Sequence, residues 1–163
     1  MDLQSEKMLS EAYELVEDGN FLEALKLYNR VLKKDPKNIP AVIDKAVTLQ
    51  NIGKIKQSIA LYDKALSLEP ENLDALVNKG AALHTIEKYE DAISCYDLAL
   101  QIDKKCAMAV AYKGLALGEM DRLEDAIKHF KKALSIDQEY DLAKISKKIA
   151  QDLLKENKKT KKH

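Results

Sequence analysis

The sequence predicts an all-α fold of four stacked two-helix units followed by a ninth helix. Three observations carry that expectation. A period of 34 residues runs from residue 5 to residue 140 without insertion, giving units 5–38, 39–72, 73–106 and 107–140. Within each unit the apolar residues fall at helical intervals on either side of a short polar break. Small and large residues also hold fixed columns across the units. Ala12, Ala46, Gly80 and Gly114 form one small column, and Ala24, Ser58, Ala92 and Ala126 another; Tyr28, Tyr62, Tyr96 and Phe130 form the large one. A period of this length marks stacked repeats, each unit burying its apolar face against the next. A small residue facing a large one is how such a core reaches close packing.

The first unit breaks at Gly19-Asn20 and closes at Pro36; the second breaks at Gly53-Lys54 and closes at Pro70. The glycines suit the left-handed conformation that ends a helix, and each proline stands where a helix must stop. The third unit reads as helices over Asp74–Ile86 and Tyr89–Ile102, separated by Glu87-Lys88. The fourth breaks at Asp121-Arg122. Glu87 and Asp121 stand where the earlier units have glycine, so those turns are expected to be more costly or differently shaped. Lys104 and Gln138 replace the closing prolines.

After Gln138 the pattern changes. Leu142, Ile145, Ile149 and Leu153 have helical spacing, which predicts a capping helix over 141–154. In strict register, however, Lys144, Lys148 and Gln151 stand where Met8, Leu76 or Val110 stand elsewhere. The expectation is a one-residue shift at 138–141, or a helix turned so that its stripe faces inward or toward a second chain. Residues 1–154 thus read as a single repeat domain and 155–163 as a basic, flexible tail. Residues 141–163 carry eight lysines against Asp141, Asp152 and Glu156, while the chain as a whole has zero formal charge.

The columns of small residues, Tyr/Phe, alanine and proline on two helices per 34 residues resemble the tetratricopeptide repeat. The best unit runs Ala-Leu-Val-Asn-Lys-Gly-Ala-Ala-Leu-His (75–84), then Lys-Tyr-Glu-Asp-Ala-Ile-Ser-Cys-Tyr-Asp-Leu-Ala-Leu (88–100). The resemblance covers residues 5–140 and implies a right-handed α-α superhelix, or solenoid, of four repeats plus a capping helix. Its inner, concave face would be lined by the first helix of each pair. On this chain that face holds Leu9, Tyr13 and Val16, then Ile43, Asp44, Val47 and Asn51. It continues with Val77, Asn78 and His84, and ends with Met108, Tyr112 and Leu115. This apolar strip edged by amides and acids is the expected binding site for a peptide or helix.

Some relatives of this kind grip a chaperone's C-terminal carboxylate with Lys, Asn and Arg side chains. Here the corresponding positions hold Leu9, Tyr13, Asp44, Asp74 and Asn78 in one frame. In the other they hold Ile43, Val47, Asn78, Met108 and Tyr112. Neither frame supplies a cation, and a buried carboxylate without one is heavily penalised. A carboxylate clamp is therefore not expected.

Other functions find little support in the residues. His84, His129 and His163 are dispersed, no glycine-rich phosphate loop is present, and no catalytic residue, metal site or cofactor is expected. Glu90-Asp91 and Glu124-Asp125 open second helices, where they suit the positive helix end. Cys95 and Cys106 are too few for a disulfide scaffold or zinc site and suggest free thiols in a reducing compartment, hence a cytoplasmic protein. No apolar run approaches a membrane span. The lysine-rich end lacks aromatics for stacking on bases, so nucleic acid is not expected as a partner. The expected partner is a protein or peptide. The alternative is self-assembly as a homodimer through the last helix.

Overall fold

The computed structural model describes residues 2–160, and all the regular structure in them is helical: α1 (Leu3–Glu17), α2 (Phe21–Lys34), α3 (Ile39–Asn51), α4 (Ile55–Leu68), α5 (Leu73–Thr85), α6 (Tyr89–Ile102), α7 (Ala107–Glu119), α8 (Leu123–Ile136) and α9 (Asp141–Thr160). The chain divides into two compact units, residues 1–82 and 83–163, with the boundary inside α5.

In the first unit, α1 packs on α2, α2 on α3 and α3 on α4. Its core has two clusters. One gathers Met8, Ala12, Ala24, Leu27, Tyr28, Val31 and Ala41. The other gathers Val42, Ile43, Ala46, Tyr62, Ala65, Ala75 and Ala82. In the second unit α6 packs on α7, α7 on α8 and α8 on α9. Its core is built on Val110, Ala111, Leu117, Leu123, Ala126, Ile127, Phe130, Ala133, Ala143 and Ala150. The periodic columns are the buried ones: Ala24, Ser58, Ala92 and Ala126 have no exposed surface, and the four rings Tyr28, Tyr62, Tyr96 and Phe130 have almost none.

The four turns inside the hairpins share one geometry. Gly19 N–H donates to the Val16 carbonyl and Asn20 N–H to that of Leu15. The same pair of bonds recurs at Gly53 and Lys54, at Glu87 and Lys88, and at Asp121 and Arg122. This is the Schellman arrangement, which needs a positive φ at its penultimate residue. Gly19 and Gly53 adopt φ 76°, whereas Glu87 is held at 61° and Asp121 at 56°. The glycine-less turns therefore keep the shape of the others and carry backbone strain. Glu87→Gly is expected to stabilise the fold by about 0.5–1 kcal/mol, the relief of the left-handed penalty less the extra entropy of an unfolded glycine. Its midpoint in a urea melt checks this.

The loops between hairpins repeat a second device. Asn38 accepts the Ala41 N–H at 3.1 Å and caps α3, and Asn72 accepts the Ala75 N–H at 2.9 Å and caps α5. The next member of this column is Cys106. It has the same extended backbone as Asn38 but makes no side-chain cap bond. Cys106→Asn is expected to supply the missing acceptor and add about 1 kcal/mol. A melting temperature that does not rise would argue against the column.

The last helix departs from expectation. It continues through Thr160, beyond the end expected at 154; residues 161–163 of the expected tail lie outside the described residues. It shows no shift of register. Ala143 lies in the column of Ala41, Ala75 and Ala109, and Ala150 in that of Ala82 and Ala116, all buried. With Leu154, these alanines hold α9 on the core. Lys144, Lys148 and Gln151 fall in columns that elsewhere look toward a repeat's own second helix, and no helix follows α9 among the described residues. Lys144 pairs with Glu139 and Asp141 instead. The stripe Ile145, Ile149 and Leu153 thus comes to the inner-face columns without any rotation, and it stands exposed.

Candidate interaction surface

Within the first unit, Leu9, Tyr13 and Val16 share one face of α1, being three and four residues apart. Tyr13 is 63% exposed, while Leu9 and Val16 are half-buried against the core. On α3, Asn51 is exposed, Asp44 and Val47 are half-buried, and Ile43 is buried. On α5, Asn78 is half-buried and Val77 is buried. Ile43 and Val77 therefore form floor rather than accessible surface, because neighbouring side chains already cover them. Gln50, in the same columns, accepts a hydrogen bond from the Tyr62 hydroxyl at 3.1 Å.

Within the second unit, Met108 is 45% exposed at the start of α7. Tyr112 is half-buried and meets Tyr96 edge to face, with ring centroids 5.9 Å apart. His84 packs edge-on against Tyr89 at 5.2 Å, and its buried Nε2 makes no hydrogen bond. Leu115 lines an open cleft of about 270 Å³ with Gly118, Glu119, Leu123, Phe130, Ser146, Ile149, Ala150 and Leu153. The cleft lies between α7 and α9 over the start of α8. Leu115 is among the residues expected at a site, and an inward-facing α9 stripe is one of the alternatives the sequence leaves open; the alanines that set the register of this wall are less conspicuous than its isoleucines.

Charge on these faces is uneven. Burial pushes the Asp44 carboxyl up, and the carboxylate of Asp74 adds to the shift. Burial also raises the Tyr28 phenol, with Asp44 as the second cause, to about 12. A carboxyl with a raised folded-state pKa favours the fold below the ordinary carboxylate range. That contribution is lost as pH rises through the raised value. Asp44→Asn is therefore expected to raise the melting temperature at pH 7, with the gain vanishing below about pH 4. Melts of both proteins across that range check the sign.

Cations occupy the opposite side of the first helices. Lys79 Nζ lies 2.6 Å from Asp63, and Lys113 pairs with Asp97. Each pair ties a first helix to the second helix of the preceding hairpin. The signal was present in the sequence as an acid 16 residues before each lysine. For Lys45 that position is Asn29, and burial with the nearby Lys64 pushes the Lys45 ammonium down. Among the described residues no group of three or more His, Cys, Asp or Glu is placed to hold a metal ion, and no helix is long and apolar enough to cross a membrane.

Comparison with known proteins agrees with this geometry. A family model for the N-terminal tetratricopeptide region of Psidin matches residues 6–107, and the tetratricopeptide repeat model matches residues 113–140. No curated protein sequence matches significantly. Among solved structures, MamA residues 41–end from Desulfovibrio magneticus RS-1 is 21% identical, covering 99% of this chain and 97% of that one with a TM-score of 0.77. Pseudomonas aeruginosa pilF is 22% identical, covering 94% and 69% with a TM-score of 0.84. The first repeat domain of Spaghetti (RPAP3), solved bound to the HSP90 peptide SRMEEVD, is 22% identical, covering 74% and 95% with a TM-score of 0.69. At these identities the likeness shows the fold. With repeat models matched across both units and the 34-residue columns buried as a packed core, this chain belongs to the tetratricopeptide repeat family.

Proposed function

We propose that this protein is a non-enzymatic interaction scaffold that binds a peptide or helix of another protein on the inner columns of its first helices. The observation that carries the reading is the exposure of two large apolar side chains on first helices. The periodic columns are packed almost completely, yet Tyr13 and Met108 stand open in the columns next to them. Large apolar side chains left exposed beside amides are what a recognition surface requires. Tyr13, Asn51 and Met108 are the accessible contacts. Leu9, Val16, Asp44, Val47 and Asn78 accompany Tyr13 and Asn51 in the first unit, with Ile43 and Val77 buried, and His84, Tyr112 and Leu115 accompany Met108 in the second.

The mode we infer is not a carboxylate clamp. Asp74 stands where such a grip needs a lysine and Asp44 where it needs an asparagine, and the field of Asp74 adds to the burial of Asp44, a negative setting that repels a C-terminal carboxylate. The preferred ligand is apolar with neutral or basic flanks in the first unit. A cytoplasmic setting belongs to the same proposal and rests on the cysteine count, since two cysteines are too few for a disulfide scaffold.

The test uses peptides selected from a displayed random library against the full chain. Binding is then measured for Tyr13→Glu, Met108→Glu and, as a control, Leu22→Glu on α2. All three positions are exposed, so the substitutions leave the core intact. Loss of binding in either of the first two, with the control unchanged, supports the proposal. Peptides that bind all three variants as they bind the parent would refute it.

A further inference from the structure

The exposed stripe of α9 is an apolar feature that the packing among the described residues does not use. Ile145, Ile149 and Leu153 are 60%, 54% and 45% exposed and run along about two turns of one face. The open cleft beside them is walled by Leu115, Leu123 and Phe130. Ile145 occupies the same repeat column as Ala111, which is fully buried on α7, the helix that α9 lies against. The stripe is thus a first-helix face that no helix among the described residues covers. The shape it fits is a helix with an apolar row, and the cleft has room for one large side chain.

Charge selects which helix. α9 carries Lys144, Lys147, Lys148, Lys155, Lys158 and Lys159 against Asp141, Asp152 and Glu156. Lys148 and Lys159, on one flank of the stripe, form no ion pair among the described residues. A second α9 would bring two net-positive helices together, which opposes pairing. The fitting occupant is acidic and amphipathic, and the chain itself contains one. α1 carries Glu6, Glu11, Glu14 and Glu17 against Lys7 alone, and none of those glutamates is ion-paired among the described residues. Leu3 and Tyr13 project from the same helix. α6 is also acidic, but its Asp91 and Asp97 are already paired with Lys88 and Lys113.

We propose that α1 of one copy docks on the α9 stripe of a second copy, with Tyr13 seated in the cleft beside Leu115 and Phe130. This rests on the reading of the inner columns as a binding surface, and it names the partner for the part carried by α7 and α9. The contact is head to tail, so it links copies into a closed ring or an open chain. It is small and partly electrostatic, so it is weak and sensitive to salt.

Sedimentation equilibrium of the full chain over a wide concentration range tests it. The mass average is expected to rise with concentration above the monomer at low salt, and to fall back toward the monomer at high salt. Ile149→Glu is expected to abolish association. Glu14→Lys/Glu17→Lys, and separately Lys148→Glu/Lys159→Glu, are each expected to weaken it about tenfold or more, and mixing the two charge-reversed proteins restores it. All these positions are exposed, and circular dichroism confirms that each variant is folded. A parent protein that stays monomeric at low salt overturns the proposal. So does association lost in Ile149→Glu but untouched by reversal of the α1 charges, which would mean symmetric α9 pairing. If association fails while selected peptides still bind through Tyr13 and Met108, only this inference falls and the scaffold reading stands.

Discussion

Gly114→Val is expected to destabilise the unit formed by residues 83–163 by about 3 kcal/mol, at the upper end of what overpacking a close-packed core costs. A Cβ at this position would lie 2.8 Å and 3.0 Å from two ring carbons of Phe130, and 3.2 Å from Cβ of His129. The ring cannot give way easily, because Phe130 is almost entirely buried among Leu123, Ile127 and Ala126. The gain in helix propensity from replacing glycine is under about 1 kcal/mol and does not offset two clashing methyl groups. The same column holds alanine at positions 12 and 46, so α7 and α8 are the hairpin whose close approach is measured directly by this glycine. A urea midpoint unchanged from the parent would mean that the two helices are farther apart than described.

Phe130→Ala is expected to cost about 3–5 kcal/mol, the usual range for deleting a buried aromatic ring. The ring joins α8 to α7 and forms a wall of the α7–α9 cleft. Its removal leaves a hole continuous with that cleft, so the loss should also loosen α9. Hydrogen exchange of α9 amides is expected to accelerate more than that of α6. Exchange that rises equally in both helices would show that the ring does not support α9. Tyr62 donates a hydrogen bond from its hydroxyl to Gln50, twelve residues earlier, whereas the residue twelve before Phe130 is Gly118, which has no side-chain acceptor.

The sequence made the helices, the hairpins and the buried columns legible because a strict period repeats the same packing constraint four times. One copy of Ala92 opposite a ring says little; four copies of that pairing fix which face of each helix is core. Much less of the candidate surface could be read. Ile43 and Val77 look like surface residues of a half-polar helix, yet they are covered. Whether a neighbour covers an apolar residue depends on interhelical distances that no pattern encodes. The turn at Glu87 was legible in its cost and left open in its shape. Side-chain chemistry warned of a cost, while the hydrogen bonds of the turn dictate the shape whichever residue stands there. In α9 the prominent Ile145, Ile149 and Leu153 masked the true packing side, which two alanines define. Small residues carry the register in this fold because close approach, more than bulk, is what the helices need from each other.

The account stands on the division between packed columns and open inner columns, and backbone NMR of the full chain titrated with a selected peptide tests that division most directly. It predicts the largest amide shifts at Tyr13, Asn51, Asn78 and Met108 and their neighbours on the first helices, with the second-helix faces around Leu22, Lys26 and Leu98 unmoved. Shifts confined to those second-helix faces, with Tyr13 and Met108 unchanged, would contradict it.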